Sequence, residues 1–224
     1  MLGTDETNLW LARALFDLGG ISFGDFTLGR TAVNSPIYVN PRVLISQPET
    51  LRRVARLIEN EVRAGQARRR KAISPFSLVA GVPFGGLHLA TAFSLHSDVP
   101  LIYARPGEGS GAQAPNGHST SRIEGRYIPG QRVLVIDDLV TGGGSVLEAA
   151  RRLAEVGLEV RDAIVLVDRQ QGADERLHLN GINLLSILRL KTMLNYYHET
   201  GLIESTWYDR SMEYLERQSG EPEA

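Results

Sequence analysis

The sequence predicts an α/β protein: a mostly parallel sheet flanked by helices, with a small hood at the N-terminal end. Three observations predict it. The apolar runs Val133–Ile136 and Ala163–Val167 show no alternation, so each reads as a strand buried on both faces. Leu78–Val82 and Val133–Ile136 each lead through a glycine-bearing turn into apolar residues at helical spacing, and Ile182–Leu188 precedes a further helix, which is the βαβα order of a parallel sheet. Residues 21–46 mix Phe, Thr, Ile, Tyr and Val with turn residues, which suits short strands lying over the core rather than in it.

In chain order, residues 5–18 read as a helix with Leu9, Leu11, Leu15 and Phe16 among its apolar positions, ended by Gly19-Gly20. The hood follows and contains Ser35-Pro36-Ile37-Tyr38-Val39-Asn40-Pro41-Arg42. Leu51, Val54, Ala55, Leu57, Ile58 and Val62 give a helix over about 48–64 one apolar face, and the run Arg68-Arg69-Arg70-Lys71 reads as its solvated end. The turn Gly81–Gly86 links the strand at Leu78 to a helix over 87–96. His88 and His96 on or near that helix read as surface or packing residues, with no further ligands at metal-site spacing. Pro100–Ala104 is a short strand. Residues 105–121, rich in Pro, Gly, Ser and Ala, form the longest irregular stretch, the kind of loop that serves as a lid. Pro129-Gly130 turns the chain into the central strand. Val146, Leu147, Ala150, Leu153 and Ala154 mark the helix after it, and Gly157 its stop. Strands over 162–168 and 182–188 and a helix over 191–200 complete the core. The expected division is a hood over 1–46, an α/β core over 47–210 and a polar, partly ordered tail over 211–224.

The bulk properties exclude more than they select. The 224 residues are 42% hydrophobic and 22% charged, an ordinary globular composition. A formal charge of -2 gives no reason to expect nucleic acid or anionic membrane as a partner, and the absence of cysteine excludes disulfides and thiol catalysis. Acidic residues Asp5, Glu6 and Asp17 stand where a secretory signal would be basic, and no apolar run approaches the roughly 18 residues of a membrane span, so a cytoplasmic location is expected.

The chemistry concentrates in Val133-Leu134-Val135-Ile136-Asp137-Asp138-Leu139-Val140-Thr141-Gly142-Gly143-Gly144-Ser145. Thr141–Ser145 offers five backbone N–H groups and two hydroxyls with almost no side-chain bulk, at the start of a helix whose dipole favours an anion. Asp137 and Asp138 would repel a bare phosphate but suit sugar hydroxyls or a metal ion. A ligand carrying hydroxyls beside a phosphate satisfies both halves. A Walker loop is excluded because Gly144 stands where its Lys belongs; a dinucleotide fingerprint is excluded because the acids precede the glycines.

This stretch resembles the 13-residue signature of type I phosphoribosyltransferases, and residues 10–200 as a whole resemble orotate phosphoribosyltransferases, including the N-terminal domain of UMP synthases. Phe26-Thr27-Leu28 and Ser35–Val39 are similar to the family's base-binding segment, Gly81-Val82-Pro83-Phe84 to its pyrophosphate loop, Ile123-Glu124-Gly125 to the segment closing its mobile loop, and Asp168-Arg169-Gln170-Gln171-Gly172 to the strand-end motif whose arginine contacts orotate. The resemblance implies a type I phosphoribosyltransferase fold and transfer of phosphoribosyl from 5-phosphoribosyl-1-pyrophosphate (PRPP) to orotate with Mg²⁺, by a homodimer whose lids serve the neighbouring site. It places the 5-phosphate on Thr141, Gly142, Gly143, Gly144 and Ser145, the ribose hydroxyls and any protein contact to Mg²⁺ on Asp137 and Asp138, and the pyrophosphate on Pro83, Phe84 and Gly85, with a cis peptide at Pro83–Phe84. Orotate would be framed by Arg169, the Ile37 and Tyr38 backbone, Thr141 and Arg30.

Two departures from the family's pattern stand out. The family's mobile loop is rich in Lys and Arg; residues 105–119 contain no lysine, which leaves Arg105 and His118 as its candidate catalytic groups beside Asp137 and Asp138. Gly29-Arg30 stand where a lysine is expected after Phe-x-Leu, with Arg30 the substitute. Two alternatives therefore stay open: transfer to another base, or a PRPP-binding regulatory protein with little turnover.

Overall fold

The computed structural model describes residues 8–28, 32–68, 73–105 and 123–219. Its centre is a six-stranded sheet in the order β5-β4-β3-β6-β7-β8. The strands are β3 (Leu78–Gly81), β4 (Leu101–Ala104), β5 (Ile123–Glu124), β6 (Arg132–Val140), β7 (Glu159–Asp168) and β8 (Asn183–Arg189). All neighbours are parallel except β5, which returns antiparallel along β4. The chain winds outward from β3 to β4 on one side and from β6 through β7 to β8 on the other. The β3–β6 pair is therefore the topological switch point, where open α/β sheets bind ligands beyond their carboxyl ends.

The unalternated strands are buried on both faces, as their sequences predict. On β6, Leu134 and Ile136 join one apolar cluster and Val133 and Val135 the other. The first cluster is covered by α1 (Leu9–Asp17), α2 (Pro48–Gln66), α3 (Gly85–Ser97), α6 (Leu190–Glu199) and α7 (Ser205–Ser219). The second lies under α4 (Gly144–Ala154) and α5 (Ala173–Leu179). In α2, Val54, Ala55, Ile58 and Val62 turn one stripe into the core, and Pro48 opens the helix with the fixed φ that suits a first turn.

The hood is a two-stranded antiparallel ribbon, β1 (Ile21–Leu28) with β2 (Ala32–Val39), in which Ile21 opposes Val39 and Phe23 opposes Ile37. A 3-10 turn over Pro41–Ser46 leads from it into α2. Tyr197 of α6, buried, donates its hydroxyl to the Ala12 carbonyl at 2.8 Å and so ties α1 to the core.

The central strand runs on past its apolar run: β7 goes on pairing with it, Asp137 opposite Val165, Leu139 opposite Val167 and Val140 opposite Asp168, so Asp137 and Asp138 lie in the carboxyl-terminal part of β6. Two expectations change. The helix after Phe84 starts two residues before the expected Leu87, at Gly85. Residues 211–219, read as part of a polar tail, belong to α7; Ser211, Tyr214 and Leu215 are buried. The polar composition of α7 is that of a surface helix with a narrow buried stripe, which resembles a tail when only the charges are counted.

Candidate active site

Two helix N-termini open onto the carboxyl edge of the sheet at the switch point. The first begins α4. Gly143 precedes it with φ +78°, a conformation L side chains rarely adopt, and no side chain caps its first turn. Those N–H groups are left for a ligand. A Cβ on Gly144 would meet nothing within 4 Å, and Gly144 and Ser145 are exposed. The cradle predicted at Thr141–Ser145 is thus open. Arg176 of α5 donates to the Gly142 carbonyl at 3.1 Å, which ties the turn to α5. Arg176 carried no signal in the sequence, because α5 meets the turn only in the folded chain.

The second N-terminus begins α3, again with no side-chain cap, at Phe84. The Pro83–Phe84 peptide is cis, as the resemblance implies. Val82 N–H donates to the Ile136 carbonyl at 2.9 Å, which sets the loop beside the two acids of β6. The approach is close: a Cβ on Gly85 would lie 2.1 Å from Asp138 Oδ2, and one on Gly86 2.3 Å from the Ile136 carbonyl oxygen. The residues predicted for pyrophosphate (Pro83, Phe84, Gly85) and for ribose (Asp137, Asp138) are therefore neighbours, 52 or more residues apart in sequence.

The two acids differ. Asp137 is buried, and its Oδ1 accepts from the Asp138 N–H at 2.9 Å; Asp138 is half-buried. Burial, and then the charge of Asp138 beside it, push the Asp137 carboxyl well above the usual carboxylate range, while the Asp138 N–H pulls it back in part. Asp138 is the acid placed to meet a ligand directly, and Asp137 the one placed beneath it.

Arg169, expected to contact the base, lies at the carboxyl end of β7. Arg169 is 2% exposed. Its Nε donates to Gln171 Oε1 at 2.9 Å, one terminal nitrogen to Ser35 Oγ at 2.9 Å, and the other to the Ile37 carbonyl at 3.4 Å. Burial lowers its pKa from the ordinary arginine value, which the Tyr214 hydroxyl offsets in part, and the group stays cationic. Among the described residues, none of its hydrogen bonds goes to a carboxylate. Gln170 turns the chain just after it with φ +59° and is held by its N–H on Asp168 Oδ1 at 2.7 Å. The structure thus brings Arg169 and the Ile37 backbone, both expected to frame the base, within hydrogen-bond distance of each other. Tyr38, half-buried, packs on Phe26 with ring centroids 5.6 Å apart.

Arg105 leaves β4 at the same edge of the sheet. Its guanidinium pairs with Glu124 and its carbonyl accepts from Arg152, so it is not held free for a ligand. His118 and Arg30 lie outside the described residues. Among the described residues, no group of three or more His, Cys, Asp or Glu gathers that could hold a metal ion.

A parallel sheet whose switch point brings two uncapped helix N-termini around a pair of acids defines a class: α/β proteins that grip phosphorylated sugars through backbone amides at strand ends. The phosphoribosyl transferase domain model matches residues 44–182. Orotate phosphoribosyltransferase of Chlamydia pneumoniae is 35% identical over 208 residues, 92% of each chain. Uridine 5'-monophosphate synthase of Bos taurus is 32% identical over 207 residues, 92% of this chain and 40% of that protein. The structure of Leishmania donovani UMP synthase superposes with a TM-score of 0.79 at 33% identity, covering 94% of this chain and 42% of that one. The chain belongs to the phosphoribosyltransferase family, and within it to the orotate phosphoribosyltransferases. It spans nearly the whole of the Chlamydia pneumoniae relative and less than half of the UMP synthases.

Proposed function

We propose that the chain transfers the phosphoribosyl group of PRPP to orotate, giving orotidine 5'-monophosphate and pyrophosphate in pyrimidine nucleotide biosynthesis. The observation that carries the choice of base is Arg169: a buried cation whose hydrogen-bond partners among the described residues are all neutral, one strand away from the proposed phosphate cradle. A buried charge without a counter-ion is costly, and an anionic base offsets that cost.

The 5-phosphate sits on the amides and hydroxyls of Thr141–Ser145, and the pyrophosphate against Pro83–Gly85 at the N-terminus of α3. Asp138 accepts from the ribose hydroxyls, with Asp137 accepting from the Asp138 N–H and fixing the strand backbone there. The bond from the anomeric carbon to the pyrophosphate oxygen breaks as the bond to orotate nitrogen forms; the nitrogen's proton is lost and the pyrophosphate departs with the bonding pair. The chain's share is positioning and charge neutralisation around an oxocarbenium-like transition state. Asp138, half-buried, is the protein oxygen that would meet Mg²⁺ brought with PRPP, and the ion would neutralise the charge of the leaving pyrophosphate.

The protein is proposed to work in the cytoplasm as a homodimer, each lid over 105–121 serving its partner's site; full activity in a stable monomer by sedimentation would remove the shared-site idea. The second reading, PRPP binding with little turnover, is favoured by one feature, a lysine-free lid whose Arg105 is engaged by Glu124. Orotate-dependent release of pyrophosphate from PRPP with Mg²⁺, measured beside PRPP binding by calorimetry, separates the two. Turnover at an ordinary enzyme rate is expected, and tight PRPP binding without it would move the function to another base or to regulation.

A further inference from the structure

Arg169 does not stand alone: its Nε partner Gln171 is itself held by α7. Gln171 is buried, and its side-chain nitrogen donates to the Tyr214 hydroxyl at 3.3 Å and to Gln218 Oε1 at 3.5 Å. The direction of this chain is set by chemistry. An arginine Nε can only donate, so the amide oxygen of Gln171 must face it and the amide nitrogen must face Tyr214. Tyr214 is itself buried.

The same helix holds the hood. Arg210 pairs with Asp25 of β1 at 2.7 Å, and Trp207 packs on Phe23 of β1 with ring centroids 5.9 Å apart. On the hood side Ser35 Oγ, which accepts from Arg169, donates to the Ile37 carbonyl at 2.8 Å, so both hood acceptors of the guanidinium are fixed to each other. Three fixed points define the guanidinium plane: Gln171 from the α7 side, Ser35 and Ile37 from the hood. Among the described residues three of its five N–H donors go to these neutral acceptors, and the Tyr214 hydroxyl also acts on the guanidinium.

The identity of the residue at 171 then has a physical reason. A carboxylate there would orient Nε equally well but would cancel the charge of Arg169. A neutral amide orients the group and leaves its charge for the ligand. Amides, however, are flexible, and Tyr214 restrains this one.

We propose that Gln171 and Tyr214 are positioning residues for the base: through them the C-terminal helix sets the plane of the Arg169 guanidinium and thereby the affinity for orotate. This rests on the orotate reading above. It makes α7, outside the matched domain region of 44–182, part of the base site.

The test uses the full chain and two variants, with KM for orotate, KM for PRPP, kcat and thermal midpoint measured for each. Tyr214→Phe keeps the buried ring and removes only the hydroxyl. It is expected to raise KM for orotate about threefold to tenfold, the effect of one net hydrogen bond, with KM for PRPP and kcat within twofold. Gln171→Glu keeps the acceptor for Nε and pairs the buried cation. It is expected to hold or raise the thermal midpoint while raising KM for orotate by tenfold or so, a split that a merely structural role does not produce. Unchanged KM for orotate in Tyr214→Phe, or changes in both KM values and kcat that follow the thermal midpoint, would overturn the proposal. No orotate turnover by the native chain despite PRPP binding would instead overturn the orotate reading, and the proposal with it.

Discussion

The carboxyl edge of the sheet has two halves built in opposite ways. The phosphate half, Pro83–Gly86 with Asp137–Ser145, is made of backbone: two uncapped helix N-termini and glycines, with Asp138 pressed against Gly85. Each piece is a short continuous segment. The base half is made of side chains from three distant places, Ser35 and Ile37 of the hood, Arg169 and Gln171 after β7, and Tyr214 of α7. The difference teaches where change is tolerated. In the proposed reading, the backbone cradle would hold the phosphate groups common to PRPP ligands, while a side-chain assembly can be retuned one residue at a time for a particular base.

If that contrast is right, the largest loss comes from the acids. Asp137→Asn combined with Asp138→Asn is expected to lower kcat/KM for PRPP by about 100-fold or more, because the charge facing the transition state is removed; PRPP affinity unchanged by calorimetry would take both acids out of the ribose role. Gly85→Ala tests whether the phosphate half depends on backbone approach alone. Its methyl would require the Asp138 carboxyl to move, since the Cβ would fall 2.1 Å from Oδ2, and about tenfold weaker PRPP binding is expected with orotate KM nearly unchanged. Native-like PRPP affinity in this variant would show that the loop is looser than its packing implies. Arg169→Ala should do the reverse, raising KM for orotate about tenfold while calorimetric PRPP affinity stays within a factor of two; if both are spared, the base site lies elsewhere.

The buried acid makes a prediction about stability as well. The folded-state pKa of Asp137 is raised, so the folded protein binds its proton more tightly than the unfolded chain does. The stabilisation this confers is fully present below the unfolded carboxylate pKa of about 3.9 and is lost as pH rises through the folded value. Asp137→Asn removes the titration. Its thermal midpoint at neutral pH should exceed that of the native chain, and the difference should shrink as pH falls; a midpoint below the native one at neutral pH would mean that Asp137 is stabilised by something other than its proton. The smallest effect is expected at the rim of the hood. Asp25→Asn breaks an ion pair whose side chains are 78% and 46% exposed, and should change stability by less than about 1 kcal/mol in denaturant unfolding. A larger cost, accompanied by a rise in orotate KM, would extend the base half out to Arg210.

Legibility in the sequence followed the same division. The strand–turn–helix units at Leu78–Gly86 and Val133–Ser145 could be read with their glycines and acids in place, because their chemistry depends on residues adjacent in the chain. Arg169 could be read as a strand-end residue, and its partner Ile37 was expected only through the family resemblance. Tyr214 and Arg176 could not be read at all: nothing beside either residue marks it, and each acts across more than 30 residues, on Gln171 and on the Gly142 carbonyl. The full length of β6 was not legible in its apolar run, because pairing with β7 carries the strand past the two acids to Val140. The polar face of α7 concealed Ser211, Tyr214 and Leu215 in the same way.

By itself, then, the amino-acid order determined the α/β class, the parallel two-faced sheet, and a glycine-rich turn preceded by two acids, since these arise from periodicity and from backbone freedom within a few residues. Only the tertiary structure decided which acid is buried, that Gly85 packs directly against the Asp138 carboxyl, and that the C-terminal helix reaches Arg169 through Gln171. Those depend on contacts between segments far apart in sequence, where proximity is created by packing rather than by the local chain.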